Sequence, residues 1–317
     1  MRNIGGELEL KSLEVESYFT DSGRSSLLLF LKSNENKYKK YLLPDFFCEV
    51  IEKIFIDENI EYSFYKINEK LLFDEKEILN NDFDVLYIIN YFGVQTSLQS
   101  SFLKNKIIIE DNVFFYNFEN TLKCKNWFAF NSFRKISQLS GGSLIKTNLD
   151  LDINLIKEKN APFIKIKNIG KSIKYEYLNH GLFTEQEYLV KLEEAEEILN
   201  NQKNIFRIDN TSMASLISID VREQQEIRKR RFNILYNLFP KECINRDPFY
   251  YSFFVISIKN RDTLRKNLMD NNIYLPIHWP KSSTTNSLYD NIISIPLFET
   301  YTEEEFLYML EKIKGAL

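Results

Sequence analysis

The sequence predicts an α/β protein with a mostly parallel central sheet, helices on both its faces, and a smaller α+β unit toward the C-terminus. Two observations carry this prediction. The first half contains short runs that are apolar at every position, separated by segments of helical period, as expected for strands covered on both faces. The chain has 317 residues, 44% of them hydrophobic, enough for one large core and a smaller one.

Ser22-Gly23-Arg24-Ser25-Ser26 reads as a small-residue loop opening a helix at 27–32. Tyr41-Leu42-Leu43 before Pro44 is a short buried strand, and 46–56 has helical period. Residues 85–90 form a continuous apolar strand ending at Tyr91-Phe92-Gly93. Residues 107–109 form another, ending at Glu110-Asp111. Further strands are expected at 127–130 and 143–145. A charged helix at 184–203, with Thr184 and Glu187 spaced as a capping box, could link two domains. A long helix is expected from about 213 to 239, a strand at 249–258, a helix at 261–270, a strand end at 293–296 and a closing helix at 302–314. This pattern places a large domain at 1–203 and a small one at 204–317.

The 41 Lys and Arg against 45 Asp and Glu give a net charge of −4 and no electrostatic reason to expect nucleic-acid or anionic-membrane binding. Cys48, Cys124 and Cys243 are widely spaced without a CxxC, and His180 and His278 are the imidazoles, so neither a disulfide framework nor a metal site is expected. Met1-Arg2-Asn3-Ile4-Gly5-Gly6 has no apolar signal core and no apolar run approaches a membrane span, so a cytoplasmic protein is expected.

In parallel sheets, ligands gather at the carboxyl ends of strands. Four features fall there or near there. The Ser22–Leu27 turn offers free N–H groups that suit a phosphate, or it simply caps a helix. Ile109-Glu110-Asp111 puts a carboxylate after a buried strand, as a cap or as a ligand. Asn131-Ser132-Phe133-Arg134-Lys135, followed by Gly141-Gly142, puts an amine past a strand, in a pocket or in solvent. Tyr274-Leu275-Pro276-Ile277-His278-Trp279-Pro280 puts a His and a Trp in a Pro-rich loop, packed or functional.

In this order the four features resemble the DegT-type sugar aminotransferases, a branch of the fold type I pyridoxal-phosphate (PLP) enzymes. Ser22-Gly23-Arg24-Ser25-Ser26-Leu27 looks like that family's Ser-Gly-Thr-x-Ala-Leu phosphate turn. Leu43-Pro44-Asp45-Phe46-Phe47-Cys48 looks like its Val-Pro-x-x-Thr-Phe/Trp segment, whose last aromatic stacks on the cofactor ring. Tyr91-Phe92-Gly93 is similar to its Leu-Tyr-Gly, and Glu110-Asp111 to its Glu-Asp-Ala-Ala. Ser132-Phe133-Arg134-Lys135 with Gly141-Gly142 is similar to its Ser-Phe-x-Lys and Gly-Gly. Asn210-Thr211-Ser212-Met213-Ala214-Ser215-Leu216 resembles its Asn-Tyr-Arg-Met-Ser-Glu-Leu.

The resemblance implies PLP as cofactor, Lys135 as the amine that receives it and moves the proton, and Asp111 as partner of the pyridinium nitrogen. Gly23, Arg24 and Ser25 would hold the phosphate, with Asn131 and Ser132 as further donors. Arg24 stands where the family has Thr, and the alternative is that it meets an acidic substrate group. Phe47 and Cys48 share the ring-stacking position, and Phe114 replaces the usual Gln or His near the ring hydroxyl. Gly141-Gly142 would let backbone pass close to the cofactor. Ser132 and Lys135 are three positions apart where the common pattern has five.

A homodimer is implied, with Asn210 reaching the neighbouring subunit's phosphate. Tyr18, Tyr91, His278 and Trp279 are candidates for the substrate pocket. The implied reaction moves an amino group, from glutamate, onto a keto group of a nucleotide sugar or related carbohydrate precursor in surface-polysaccharide synthesis. Another PLP reaction, or a non-catalytic relative that binds a sugar or a protein, remains the alternative.

Overall fold

The computed structural model describes residues 15–35, 37–98, 103, 105–158, 161–281 and 283–317. The chain runs through β1 (Glu16–Thr20), α1 (Gly23–Ser33), β2 (Lys40–Pro44), α2 (Glu49–Asp57), β3 (Glu61–Tyr65), α3 (Glu75–Leu79), β4 (Val85–Ile89) and β5 (Ile107–Asp111). It continues through β6 (Asn126–Phe130), α4 (Phe133–Ile136), β7 (Ser143–Thr147), β8 (Ile156–Lys157), α5 (Pro162–His180), α6 (Glu185–Asn200), β9 (Ile205–Phe206), α7 (Asn210–Ile217) and α8 (Val221–Leu238). The last elements are β10 (Phe253–Ser257), α9 (Arg261–Met269), α10 (Leu288–Asn291), β11 (Ile292–Pro296) and α11 (Glu303–Ala316).

Seven strands make the main sheet in the order β1-β7-β6-β5-β4-β2-β3. The run from β6 to β3 is parallel, and β7 lies antiparallel to both its neighbours. Strands β4 and β5 are buried at every position, as expected of their apolar runs, and β5 carries Glu110 and Asp111 into the same buried layer. In register, Asp111 lies between Ile89 and Phe130. Asn90, Asn112 and Asn131 follow directly beyond, and two of their N–H groups extend the ladder, Asn90 to Asp111 O at 3.0 Å and Asn112 to Phe130 O at 2.7 Å. The expected α/β architecture is therefore present, with its carboxyl edge lined by polar side chains.

A second apolar cluster forms where β10 pairs with β11 and packs on α8, α9 and α11. Phe253, Trp279, Tyr289 and Ile292 from this part of the chain join the large core instead, so the two clusters meet at the His278 loop.

Several elements differ from expectation. Helix α2 starts at Glu49 rather than 46, because Asp45 is tied into loop contacts with Ile67 N and Asn286 Nδ2. The long helix at 213–239 is two helices, α7 and α8, separated at Ser218-Ile219-Asp220, where the Asp220 carboxylate caps Glu223 N at 3.0 Å. The strand at 249–258 shortens to Phe253–Ser257, since Phe249 N and Tyr250 N turn to Gly93 O. Gly93 has φ +83, and a Cβ there would sit 1.8 Å from Tyr250 O, so this junction needs glycine. The charged helix is α6, with its capping box, but it folds back along α5 as half of a hairpin rather than as a linker. No helix among the described residues is long and apolar enough to cross a membrane.

Candidate active site

Asp111 ends β5 and is buried, with both carboxylate oxygens engaged: Tyr87 donates its hydroxyl to Oδ2 at 2.8 Å and Val113 its N–H to Oδ1 at 3.0 Å. Burial pushes its pKa up to about 6, against the pull of Tyr87, the Val113 N–H and the Lys135 charge. Glu110 has a separate set of partners, Trp127 Nε1 at 2.9 Å and Asn90 Nδ2 at 3.2 Å, as alternation along a strand requires. Burial raises that carboxyl to about 7.

Lys135 lies on α4, a single turn between extended Ser132 and Ser137. Lys135 N bonds Ser132 O at 3.0 Å, and Phe133 N bonds Gly142 O at 3.0 Å. The residue keeps some exposure, but its amine is enclosed deeply enough that burial is the main cause lowering its pKa to about 8. Arg134 and Arg24 lower it further, while Cys48 and Glu196 oppose them. Lys135 and Asp111 attract one another without an ion pair, and among the described residues no hydrogen bond engages the amine.

Arg24 sits in the first turn of α1, which Ser22 caps through Ser25 N at 3.2 Å. Its Nη1 is buried without a hydrogen-bond partner, and burial, then Arg134, lowers the guanidinium to about 10. Glu196 on α6 answers this charge only in part, because it already pairs with Arg134 and with Lys167 at 2.7 Å. Burial pushes the Glu196 carboxyl up, but those cations outweigh it and hold it near 2. Arg24, Arg134 and Lys135 thus all draw on Glu196, which Lys167 also engages, and an orphaned guanidinium nitrogen remains, a set that suits an anion.

Aromatic rings enclose the other side. Phe92 stacks on Phe114 at 4.9 Å, Trp279 stacks on Phe92 at 6.2 Å, and the His278 ring stands edge-on to Phe114 at 5.5 Å. Ser294 Oγ fixes His278 Nδ1 at 3.0 Å, and burial, with Lys135 nearby, pushes this imidazole well below its ordinary range.

No protein-family model matches the chain, and no curated protein matches it. Solved structures do. A DegT DnrJ EryC1 StrS aminotransferase from Brucella abortus superposes with a TM-score of 0.60 at 14% identity, covering 94% of this chain and 85% of that one. PseC of Helicobacter pylori, an aminotransferase involved in pseudoaminic acid biosynthesis, gives 0.65 at 12% identity, with 95% and 86% covered. The sugar aminotransferase CalS13 from Micromonospora echinospora gives 0.59 at 10% identity, with 95% and 87% covered.

The chain has the fold of these aminotransferases. At such identities the likeness is one of fold, and it agrees with the fold type I expectation.

Within the aminotransferase fold, the structure gathers Lys135, Asp111, Arg24 and Cys48 into one electrostatic neighbourhood. Gly23 and Ser25 flank Arg24, and a Cβ at Gly23 would lie 3.2 Å from Asn131 O. Ser132 is buried beside α4. Phe114, His278 and Trp279 form the aromatic wall, and Tyr91 stacks behind it on Phe46 with its hydroxyl on Phe46 O.

Other expectations fail. Phe47 turns into the core against Phe64 at 5.6 Å, and of the two candidates for the stacking position Cys48 alone faces the site. The Asn131 side chain is consumed by Phe115 O, Tyr116 O and Leu144 N, which leaves no amide proton for a phosphate. Tyr18 is partly exposed on β1 with its hydroxyl on Glu16, away from the cluster. Gly141 and Gly142 pass close to the protein's own backbone: Gly142 N bonds Asp21 O at 2.5 Å, and a Cβ at Gly141 would lie 2.8 Å from the same oxygen. Asn210, expected to reach a neighbouring subunit rather than this cluster, is exposed in the first turn of α7.

Three participants were not anticipated. Tyr87 is the one polar side chain in the run VLYII, which was its available signal. Glu196 is one of many acids on a charged helix and carried none. Asp21, fully buried beside the Ser22–Leu27 turn, accepts from Gln202 Nε2 at 2.7 Å, and burial raises its pKa to about 6.

Proposed function

We propose that this chain is a DegT-type, PLP-dependent aminotransferase. It moves an amino group from glutamate onto a keto group of a nucleotide sugar or related carbohydrate precursor in surface-polysaccharide synthesis. The observation that carries the proposal is the pairing of an enclosed, unpartnered Lys135 amine with a buried, fully oriented Asp111 carboxylate, beside the orphaned Arg24 Nη1. A phosphorylated pyridine aldehyde fits this set: one end needs a carboxylate, the middle an amine, and the far end a cation.

When bound, PLP supplies an electron sink conjugated to its aldehyde carbon. Asp111 holds a proton at the ring nitrogen. The Arg24 guanidinium and the N–H groups of Gly23 and Arg24 would hold the phosphate, beside Ser25. Lys135, pulled down to about 8, has a neutral fraction near physiological pH and takes up and returns the substrate proton at Nζ. Ser132 offers a hydroxyl to the phosphate, and Cys48 leaves room against the ring face. His278, Trp279 and Tyr91 close the acceptor side and exclude water. Residues 1–203 form the cofactor-binding part and 204–317 the smaller part. A second copy of the chain brings Asn210 to the phosphate.

The test is to add PLP to the purified protein, reduce with borohydride and map the modified peptide. Label on Lys135, and a cofactor absorbance that glutamate bleaches, are expected. No retained cofactor would sink the proposal, as would turnover by a folded Lys135→Ala protein.

A further inference from the structure

Lys135 stands on one turn of helix, and a single turn is a costly nucleus that does not hold its own geometry. Contacts from elsewhere must therefore fix it. The carbonyl of Ile136, the residue after Lys135, receives two candidate donors. Arg228 Nη2 lies 2.9 Å away, and the Tyr116 hydroxyl 3.0 Å away. Tyr116 also lies 2.6 Å from Gln224 Oε1 and has one proton to give, so Arg228 is the donor that Ile136 O keeps in either arrangement.

Arg228 comes from α8, in the C-terminal part of the chain, and is 1% exposed. Its Nε donates to Glu299 Oε2 at 2.7 Å, and its guanidinium carbon lies 5.1 Å from the centre of the Phe298 ring. Its Nη1 is buried without a partner. Such burial costs stability unless fully compensated, so the packing of the smaller core does not explain it. Arg231, on the same helix, binds Phe298 O, Tyr301 O and Glu303 within its own part of the chain, whereas Arg228 reaches across to the lysine turn.

We propose that Arg228 is a positioning residue: through the Ile136 carbonyl it holds the lysine-bearing turn, so that the placement of α8 sets where the Lys135 amine lies. The consequence for turnover rests on the aminotransferase reading above. The positional claim does not, and can be tested without cofactor.

The experiment is acetic anhydride labelling across pH, with the Lys135 peptide quantified by mass spectrometry, on wild type, Arg228→Met, Arg228→Lys and Tyr116→Phe. In Arg228→Met the labelling midpoint moves up toward that of an ordinary lysine by about one unit or more, because a loosened turn lets water reach the amine. Arg228→Lys lies between, and Tyr116→Phe stays near wild type. With substrate, Arg228→Met loses kcat by about tenfold or more with little change in KM, as expected for lost orientation. A folded Arg228→Met protein, checked by circular dichroism, with the wild-type midpoint overturns the proposal. If Arg228→Met does not fold, Arg228→Lys decides: a raised midpoint supports the proposal and an unchanged one overturns it. Failure of the wild type to take PLP would sink the functional reading while leaving these midpoints to judge Arg228.

Discussion

Tyr87 on β4 donates its phenol to Oδ2 of Asp111 on the adjacent strand at 2.8 Å, and both side chains are buried. This bond opposes the rise that burial imposes on the Asp111 pKa. In Tyr87→Phe the carboxyl climbs above about 6, so the acid limb of the pH–rate profile moves up by about one unit. Activity is then lost at a higher pH on acidification. An unmoved acid limb would show that Tyr87 does not tune Asp111.

Lys135 should cost the fold stability. Its folded pKa, about 8, lies below the ordinary 10.5, so between those values the unfolded chain holds a proton that the folded chain has released. Stability therefore rises with pH across that window. Lys135→Met should be more stable than wild type near neutral pH by on the order of 1–3 kcal/mol, allowing for partial exposure. The gap should close above about pH 10. Urea unfolding at both pH values checks this, and equal stabilities at neutral pH would contradict it.

Arg24 supplies a guanidinium where a hydroxyl would be smaller and neutral. Arg24→Thr should weaken binding of pyridoxal phosphate about 10–100-fold, the worth of a charge-assisted hydrogen bond. Pyridoxal, which lacks the phosphate, should bind both proteins alike. Fluorescence titration with the two compounds separates a phosphate role from an acidic-substrate role.

Glu196 sits among Arg134, Lys167 and the Lys135 amine. Its negative charge favours protonated Lys135, so Glu196→Gln should lower the Lys135 pKa below about 8. The labelling midpoint of Lys135 should move down, and with it the pH at which the neutral amine becomes available as a base. A shift up would mean that loosening of α4 outweighs the charge.

Strands with runs of consecutive apolar residues, such as VLYII and the first three positions of IIIED, were legible because burial on both faces admits little else. The edge strand β3, with its alternating pattern EYSFY, and the terminal β1 were not, because half-exposed strands resemble loops in composition. Helix α5 was missed, and its exposed Tyr175 and Leu178 blur the apolar stripe that would have marked it. The break between α7 and α8 contains no Pro or Gly, so only the cap at Asp220 hinted at it.

The site shows the same division. Order along the chain placed Asp111 and Lys135 just past buried strands and the Ser22–Leu27 turn at a helix start, and connectivity in the sheet brings these strand ends to one edge. Order could not decide which of two adjacent side chains faces that edge. Phe47 and Cys48 differ by one position, yet one enters the core and the other meets Lys135. Asn131 sits beside the turn but gives its amide to backbone partners at 115, 116 and 144.

By itself, then, the sequence determined the sheet, its buried strands and the order of the chemical groups, since these follow from local burial and chain connectivity. The orientation of Asp111 by Tyr87, the lowered Lys135 amine, the unmet charge of Arg24 and the hold of Arg228 on Ile136 were decided only by the tertiary structure. Each depends on side chains from distant segments meeting where water is excluded, and there a single partner gained or lost outweighs any local preference.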